Sequence, residues 1–294
     1  MGKICAAIFV MVVFFSGYGL AQDQVPDIYG SVYSTYIDYD HSELKNRGWA
    51  INGYTNIKKG LYHQMEIGLA RTHIDYKTLS DIDQTDFTIR FSDLGQLVPN
   101  YSLNMGFHYI DTDDDVTDEG KIFFGQATYF VSNIWNAGVQ AAYSIYEDTR
   151  DDLSVVQIAP HIGYFYGSHP ENRLYFESEL FFIHTTDDIR IGNANHLGDR
   201  EFLSFQQSVT YTYDAFHTKL YAWVGEQVFA VKNSGFVVYN LSDKYKGGMG
   251  IDTGYSFKND WKITLNISRE KLKHIGFSDS SKIKVATVSV GKKF

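Results

Sequence analysis

The sequence predicts an all-β fold in which about fourteen antiparallel strands close into a transmembrane β-barrel. Three observations lead to this prediction. Segments of roughly ten residues alternate apolar with polar side chains along most of the chain, and turn residues separate them. The connections between the segments are short and long in turn. Tyrosine (22) and phenylalanine (21) are abundant whereas proline (4) is rare, and a soluble β-sandwich would be expected to carry more proline in its turns.

Residues 1–21 are predicted to form a secretory signal peptide that is cleaved from the mature protein. Lys3 supplies the positive charge, residues 4–15 the apolar core and residues 19–21 the small side chains of the cleavage site. The core is shorter than the roughly 20 apolar residues that a transmembrane helix requires. The sequence therefore predicts a leader followed by a single barrel domain over residues 22–294.

The only cysteine, Cys5, lies within the predicted leader. The mature chain would then contain neither a disulfide nor a cysteine-ligated metal, and its stability must come from hydrogen-bonded strands. The formal net charge of −9 argues against a nucleic-acid partner, which would require a basic surface. We expect no cofactor.

Fourteen alternating segments are predicted to be strands. They are 28–39, 47–57, 61–75, 85–93, 101–110, 121–131, 134–146, 153–166, 173–184, 201–213, 217–231, 247–257, 261–271 and 282–294. In the fifth segment, for example, Leu103, Met105 and Phe107 alternate with Asn104 and Gly106. The sixth and eleventh segments fit either face outward, so a barrel of twelve strands remains the alternative.

The connections predict how the barrel is oriented. The even-numbered ones are short, such as 58–60 and 258–260, with the exception of 93–100, which is somewhat longer. Three odd-numbered ones, 111–120, 185–200 and 232–246, are clearly longer. Membrane barrels place short turns on the periplasmic side and long loops outside the cell. With fourteen strands, both ends of the chain fall on the short-turn side, which is the parity that a single-chain barrel requires.

Aromatic residues lie near both predicted rims. Trp135 and Trp261 each follow a short turn, and Phe294 ends on the same rim, whereas Trp49 and Tyr109 lie beside long loops. Two such belts are typical of the two interfaces between membrane and water.

The last segment ends in an aromatic residue that is in register with an apolar face, on which Val288, Val290 and Phe294 lie. This pattern resembles the closing strand of bacterial outer-membrane β-barrels, in which it is read as a signal by the barrel-assembly machinery. The mature chain as a whole resembles porin-like barrels of about fourteen strands, such as monomeric barrels of the OmpG type. The resemblance implies a place in the outer membrane of a Gram-negative bacterium, in contact with lipid and lipopolysaccharide.

The faces assigned to the lumen carry Glu66, Arg90, His108, Gln140, His161, Glu177, Glu179, Asp252, Lys262, Asn266 and Glu270. Five carboxylates and two permanently charged cations in this set predict a weak preference for cations. Barrels of roughly eight strands are filled by their side chains and those of roughly sixteen are open, and many small residues here leave room. We therefore predict a water-filled pore for passive diffusion of small polar solutes or ions.

Two other classes of function are weighed against the pore. One is a non-conducting barrel that acts as a surface, export or electron-conduit partner. The other is an outer-membrane enzyme, which needs Ser or Asp beside His at the rim. Residues 40–42 (Asp-His-Ser) have an ordinary turn composition, and no histidine has a partner that spacing identifies. We expect no enzymatic activity.

Any constriction is expected to come from a long loop or from lumen side chains. Only about six residues separate the predicted cleavage site from the first strand, too few for an N-terminal hatch domain.

The loops contain one acidic cluster that could hold a metal. Asp111, Asp113 and Asp115 could bind Ca²⁺ or Mg²⁺ through oxygen atoms. Val116 and Ile122, however, stand where a calcium loop of the EF-hand type needs Gly and Glu. A solvated acidic loop is therefore predicted.

The last two long loops are basic instead of acidic. Their lysines are Lys232, Lys244, Lys246, Lys271, Lys273 and Lys282. We predict that they solubilise the rim, with contact to anionic lipopolysaccharide as the alternative.

Overall fold

The computed structural model describes residues 26–131, 134–147, 152–169, 171–186, 190–191, 194–195, 199–241, 243–275 and 280–294. Fourteen antiparallel strands form a closed barrel. They are β1 (Asp27–Asp40), β2 (Lys45–Lys59), β3 (His63–Tyr76), β4 (Ile82–Asp93), β5 (Tyr101–Thr112), β6 (Lys121–Val131), β7 (Trp135–Glu147), β8 (Asp152–His169), β9 (Asn172–Thr185), β10 (Glu201–Tyr213), β11 (Phe216–Gln227), β12 (Asp243–Ser256), β13 (Trp261–His274) and β14 (Ser281–Lys293). The predicted signal peptide, residues 1–21, lies outside the described residues.

Each strand pairs with its neighbours in the chain, and β14 pairs with β1 to close the barrel. The closing ladder runs from Tyr29 opposite Lys293 to Asp40 opposite Lys282. The all-β class, the closed antiparallel form and the count of fourteen strands are therefore confirmed. The described part of the chain contains no helix with the length and hydropathy that a membrane-spanning helix requires.

The strand boundaries agree with the predicted ones to within four residues, and the two largest differences border the same loop. The eleventh segment was expected to reach residue 231 but ends at Gln227, and the twelfth was expected to start at 247 but begins at Asp243. Gly225 has a φ of +109°, and the register between β11 and β12 shifts at this point. The resulting bulge ends regular pairing early, and the chain turns inward.

The outer face of the barrel is apolar. Val32, Leu69, Met105 and Leu265 point outward from four different strands and are all exposed, although each is large and hydrophobic. Side chains on the alternate positions of the same strands face inward. Outward apolar residues around a closed barrel form the band that contacts lipid.

The interior differs between its two halves. Near the long loops it is apolar, because the inward positions there carry Ile110, Ile122, Phe124, Tyr146, Leu153, Val155, Ile183 and Phe202 in one cluster and Tyr39, Ile74, Trp223, Tyr245, Leu272 and Ile283 in another. Near the short turns the inward positions are mostly polar. The strand count predicted an open lumen. In the half near the long loops this prediction is wrong, because large apolar side chains fill the space.

Residues 228–241, here called the inner loop, fold from the long-loop rim into the barrel. Within the loop, Val231 and Lys232 pair with Val238 and Val237. Val228, Phe229, Ala230 and Val231 join the first apolar cluster. The structure thus places a long loop inside the lumen, where the sequence led us to expect the constriction.

Candidate functional site

Two glutamines of the barrel wall hold the inner loop at Val231. The amide of Gln157 donates to the Val231 carbonyl (2.7 Å) and accepts from the Val231 N–H (2.9 Å). Gln140, a predicted lumen residue, donates to the same carbonyl (3.2 Å). Both glutamines are buried, so these bonds form away from bulk water. They satisfy backbone groups that would otherwise be unpaired in the interior.

The tip of the inner loop reaches the polar half of the barrel through Phe236. Its ring lies edge-on to Tyr54, with 5.5 Å between centroids, and the Arg90 guanidinium lies 5.7 Å from its centroid. Gly68 allows this approach, because a Cβ at that position would lie 3.0 Å from the Phe236 ring. Phe236 therefore narrows the lumen against β2, β3 and β4.

The residues assigned to the lumen from the sequence lie on the inner faces of the strands: Glu66, Arg90, His108, Gln140, His161, Glu177, Glu179, Asp252, Lys262, Asn266 and Glu270. Several of them are not free charges. Glu66 is buried and forms an ion pair with Arg90 across β3 and β4, and Tyr54 donates a hydrogen bond to it. Glu66 and Arg90 thus neutralise one another beside Phe236.

Other lumen residues also have partners. Glu177 lies 3.7 Å from Lys219, a lumen cation that is absent from the set predicted from the sequence. Asp252 lies 3.5 Å from His217. The Glu270 carboxylate accepts a hydrogen bond from Tyr239 of the inner loop (2.8 Å). A signal for Lys219 was present, since it alternates in phase with Tyr221 and Trp223, but the eleventh segment fitted either face outward.

The two histidines that were assigned to the lumen from the sequence contact hydroxyl groups of the wall. His108 Nδ1 lies 2.7 Å from Thr88 Oγ1, and its Nε2 lies 3.2 Å from Asp86, a further lumen carboxylate. His161 Nε2 lies 3.2 Å from Thr128 Oγ1. These contacts are typical of satisfied polar groups in a barrel wall.

A cavity of about 770 Å³ lies between the inner loop and the barrel wall. It is lined by aromatic side chains, including Tyr39 and Tyr245, and by Asp86, Asp252 and Glu270. Tyr239 of the inner loop stacks on Tyr245 at 4.2 Å between centroids, at the apolar end of this space. The cavity therefore joins the apolar half of the interior to the polar half.

Lys232 lies inside the barrel, which corrects the expectation that it solubilises the rim. Its ammonium group lies 4.6 Å from the Trp223 ring centroid and 5.0 Å from that of Tyr239. Burial lowers the pKa of Lys232 to about 8, while the carboxylates of Glu270 and Glu179 oppose that shift. The inner loop thus carries one titratable charge into the lumen.

A buried polar network lies at the long-loop rim. Lys45 lies 2.5 Å from Asp243, His274 Nδ1 lies 2.6 Å from the same carboxylate, and His274 Nε2 lies 2.7 Å from Ser42 Oγ. Serine, histidine and aspartate in this order match the contacts of a hydrolase triad. Ser42 Oγ, however, is buried and already accepts the backbone N–H of Leu44 and of Lys45. The network ties the first loop to β12 and β13.

The side chains whose ligand atoms lie close enough together to hold a metal ion are not those of the acidic loop. The predicted ligands are all exposed: Asp111, Asp113 and Asp115. Within the described residues, the group with ligand atoms inside 4.8 Å is His73, Asp75 and Asp81. His73 already contacts Asp83 (3.0 Å) and Asp75 (2.9 Å), and Arg47 pairs with Asp75. These ion pairs account for the cluster without a metal.

The predicted assembly residues lie on the closing strand. Val288 and Val290 point outward and are exposed, and Phe294 is the most exposed of the three, at 74%. The Phe294 N–H donates to the Ile28 carbonyl (2.8 Å), which places the terminal ring at the short-turn rim. The ammonium group of Lys292 lies 5.5 Å from the centroid of that ring.

No protein-family profile matches the sequence, and no curated protein is significantly similar to it. Among solved structures, the chain is similar to the CymD monoaromatic hydrocarbon channel, with a TM-score of 0.56, 10% identity and coverage of 91% of this chain and 88% of that one. It is also similar to the toluene transporter TodX of P. putida (0.53, 11% identity, 93% and 91%) and to a bacterial polysaccharide outer membrane secretin (0.53, 9% identity, 93% and 100%). Likeness at these identities shows the fold, which is that of an outer-membrane β-barrel.

Proposed function

We propose that the protein is an outer-membrane channel for passive diffusion of small polar solutes or ions, and that the inner loop restricts passage. One observation carries this proposal: a cavity of about 770 Å³ between the inner loop and the wall, lined by aromatic and charged side chains. A barrel that served only as a scaffold would gain stability by filling this space. The similarity to a hydrocarbon channel and a toluene transporter supports a role in transport.

The charges around the cavity favour a weak preference for cations. Glu66 and Glu177 are balanced by Arg90 and Lys219, so they contribute less than the sequence suggested. Lys219 and Lys232 add two positive charges to the predicted lumen set, and Asp86 adds one negative charge. Carboxylates remain in excess, and in a narrow passage an excess of one sign enriches the opposite ion.

Reversal potentials in a KCl gradient across a planar bilayer test this proposal. The purified barrel should conduct, and the potential should indicate that K⁺ is more permeant than Cl⁻. The preference should fall at high salt, because ions screen wall charges over about 10 Å at 0.1 M. It should also fall below about pH 5, where carboxylates protonate. A preference for Cl⁻ at neutral pH would reject the charge assignment.

The second candidate function is a barrel that does not conduct and serves as a surface, export or electron-conduit partner. The observation in its favour is the packed apolar cluster that the inner loop completes in the long-loop half. The two candidates differ in what removal of the inner loop does. A channel should conduct more, whereas a filled scaffold should remain closed or lose its fold.

A further inference from the structure

The outer wall of β13 and β14 carries a group of cations near the long-loop rim. Arg269, Lys271 and Lys273 lie on β13, and Lys282 and Lys284 lie on β14. On both strands these residues alternate with inward, buried side chains. Arg269, Lys271, Lys273 and Lys284 are exposed, and Lys282 is partly exposed. These five residues are here called the outer cation patch.

The strand register sets like charges directly opposite one another. Lys271 is the cross-strand partner of Lys282, and Arg269 is the partner of Lys284. Directly opposed side chains on one face of an antiparallel pair lie about 5 Å apart at Cβ, and like charges there destabilise the pair. On its other side, Lys271 faces Gly247, which has no side chain to separate the lysine from an approaching group. On their other side Lys282 and Lys284 face Asp40 and Asp38 of β1, whereas Lys271 and Arg269 face no carboxylate on β12.

Protein carboxylates neutralise only part of the patch. Lys284 lies 3.4 Å from both Asp38 and Asp40 on β1, and Asp40 is also the cross-strand partner of Lys282. In the described part of the chain, no ion pair joins a carboxylate to the other four cations. A net positive surface therefore faces away from the lumen, toward the surroundings of the barrel.

The patch adjoins the lipid-facing band without a gap. The next outward residues on β13 are Ile267 and Leu265, and on β14 the outward series continues to Val288. At about 3.4 Å per residue, Lys271 lies roughly 14 Å along the strand from Ile267. An amphiphile with an anionic headgroup could therefore place its charge on the patch and its acyl chains on the apolar wall.

We propose that the outer cation patch binds the phosphate groups of a phosphorylated lipid in the outer leaflet, with the acyl chains along Ile267, Leu265 and Val288. Phosphate oxygens accept strong hydrogen bonds from ammonium and guanidinium groups. They would also relieve the repulsion between Lys271 and Lys282. This site lies on the outside of the barrel, so it does not depend on the proposed channel.

Binding of diphosphoryl lipid A to the detergent-solubilised barrel tests the proposal. The double variant Lys271→Gln/Lys282→Gln should bind it about tenfold more weakly, since each basic residue near an anionic lipid surface contributes to attraction. The matched control is Lys58→Gln/Lys59→Gln, which removes two exposed lysines at the opposite rim and should bind like the wild type. Dephosphorylated lipid A should bind the wild type at least as weakly as the double variant binds the diphosphoryl form, because three cations of the patch remain in the variant. Equal affinity of the wild type for both lipids would overturn the proposal.

Resistance to denaturant gives a second, independent measurement. Without lipid A, the double variant should unfold at the same or a higher denaturant concentration than the wild type, because a repulsive pair is gone. Lipid A should raise that concentration more for the wild type than for the variant. A variant that is less stable than the wild type without lipid would show that the lysines support the fold instead. Inorganic phosphate that stabilises the wild type as much as lipid A does would reduce the patch to a general anion site and reject the lipid.

Discussion

The ring of Phe236, at the tip of the inner loop, packs edge-on against Tyr54 of β2, with 5.5 Å between their centroids. Tyr54 in turn donates a hydrogen bond to Glu66, which forms an ion pair with Arg90. The contact between Phe236 and Tyr54 therefore connects the inner loop to the ion pair of Glu66 and Arg90 in the polar half of the barrel. The constriction depends on this junction at one end and on the bonds at Val231 at the other.

Replacing Gln157 by alanine should release the inner loop. Gln157 both donates to and accepts from the backbone of Val231, so the substitution leaves a buried N–H unpaired and weakens the bonding of the carbonyl. Each unpaired buried group costs about 1–3 kcal/mol. We expect single-channel conductance to rise and long open events to become more frequent.

The control for this variant is Gln206→Ala. Gln206 lines the same cavity from β10 but is not bonded to the inner loop among the described contacts. It should leave conductance within the range of the wild type. If both glutamine variants conduct alike, the bonds at Val231 do not hold the constriction.

Conductance should fall as the pH rises from 7 to 10. Burial holds the pKa of Lys232 at about 8 in the docked loop, whereas lysine in water has a value near 10.4. Lys232 therefore binds its proton more weakly when the inner loop lies in the lumen than when the loop is released into water. The position in the lumen becomes more favourable as the pH rises between these two pKa values, so the loop obstructs the channel more of the time. Lys232→Met, which cannot titrate, should flatten the dependence on pH measured in planar bilayers.

The same pH series has an internal check. The charges of Glu179, Glu270 and Lys219 influence the pKa of Lys232. All three residues are still present in Lys232→Met, so any pH dependence that they cause by themselves would remain in that variant. An unchanged pH dependence in that variant would assign the effect to these neighbours and not to Lys232.

Charges should be tolerated on the inner face of β13 but not on its outer face. Leu265 points outward and is 39% exposed, whereas the neighbouring Thr264 hydroxyl lies 2.5 Å from Ser289 inside the barrel. Leu265→Arg should lower the free energy of unfolding by about 2–4 kcal/mol if it lies near the bilayer midplane. Thr264→Arg should cost less and alter conductance. Denaturant titration in lipid vesicles measures both, and equal losses would contradict the assignment of the faces.

Phe294→Ala should reduce the amount of folded barrel in the outer membrane. Phe294 is exposed at the end of the closing strand, where the assembly machinery would meet it, and its side chain has little to stabilise in the folded state. Heat-modifiable migration on gels separates folded from unfolded protein. Refolding of the purified variant in detergent should proceed as in the wild type, and a defect there would indicate a loss of stability instead of a loss of recognition.

The sequence predicted the barrel well because alternation and loop length report it directly. Apolar side chains recur at every second position along the strands, and this period shows which face points outward. The faces, the closing of β14 on β1 and most strand ends could therefore be predicted. The inner loop could not be predicted, because its destination depends on contacts across the barrel. Nothing near Lys232 in the chain indicates Trp223 or Tyr239 as its neighbours. Similarly, Ser42 and His274 are 232 residues apart.

Removal of the inner loop's tip tests most directly whether this loop restricts a channel. Val231 pairs with Val238 at the base of the inner loop, so residues 232–237 can be replaced by two glycines while that pairing is retained. In planar bilayers, this shortened barrel should conduct several times more than the wild type and should keep its preference for K⁺ over Cl⁻. A folded, shortened barrel that conducts no more than the wild type would contradict the claim that the inner loop restricts a channel.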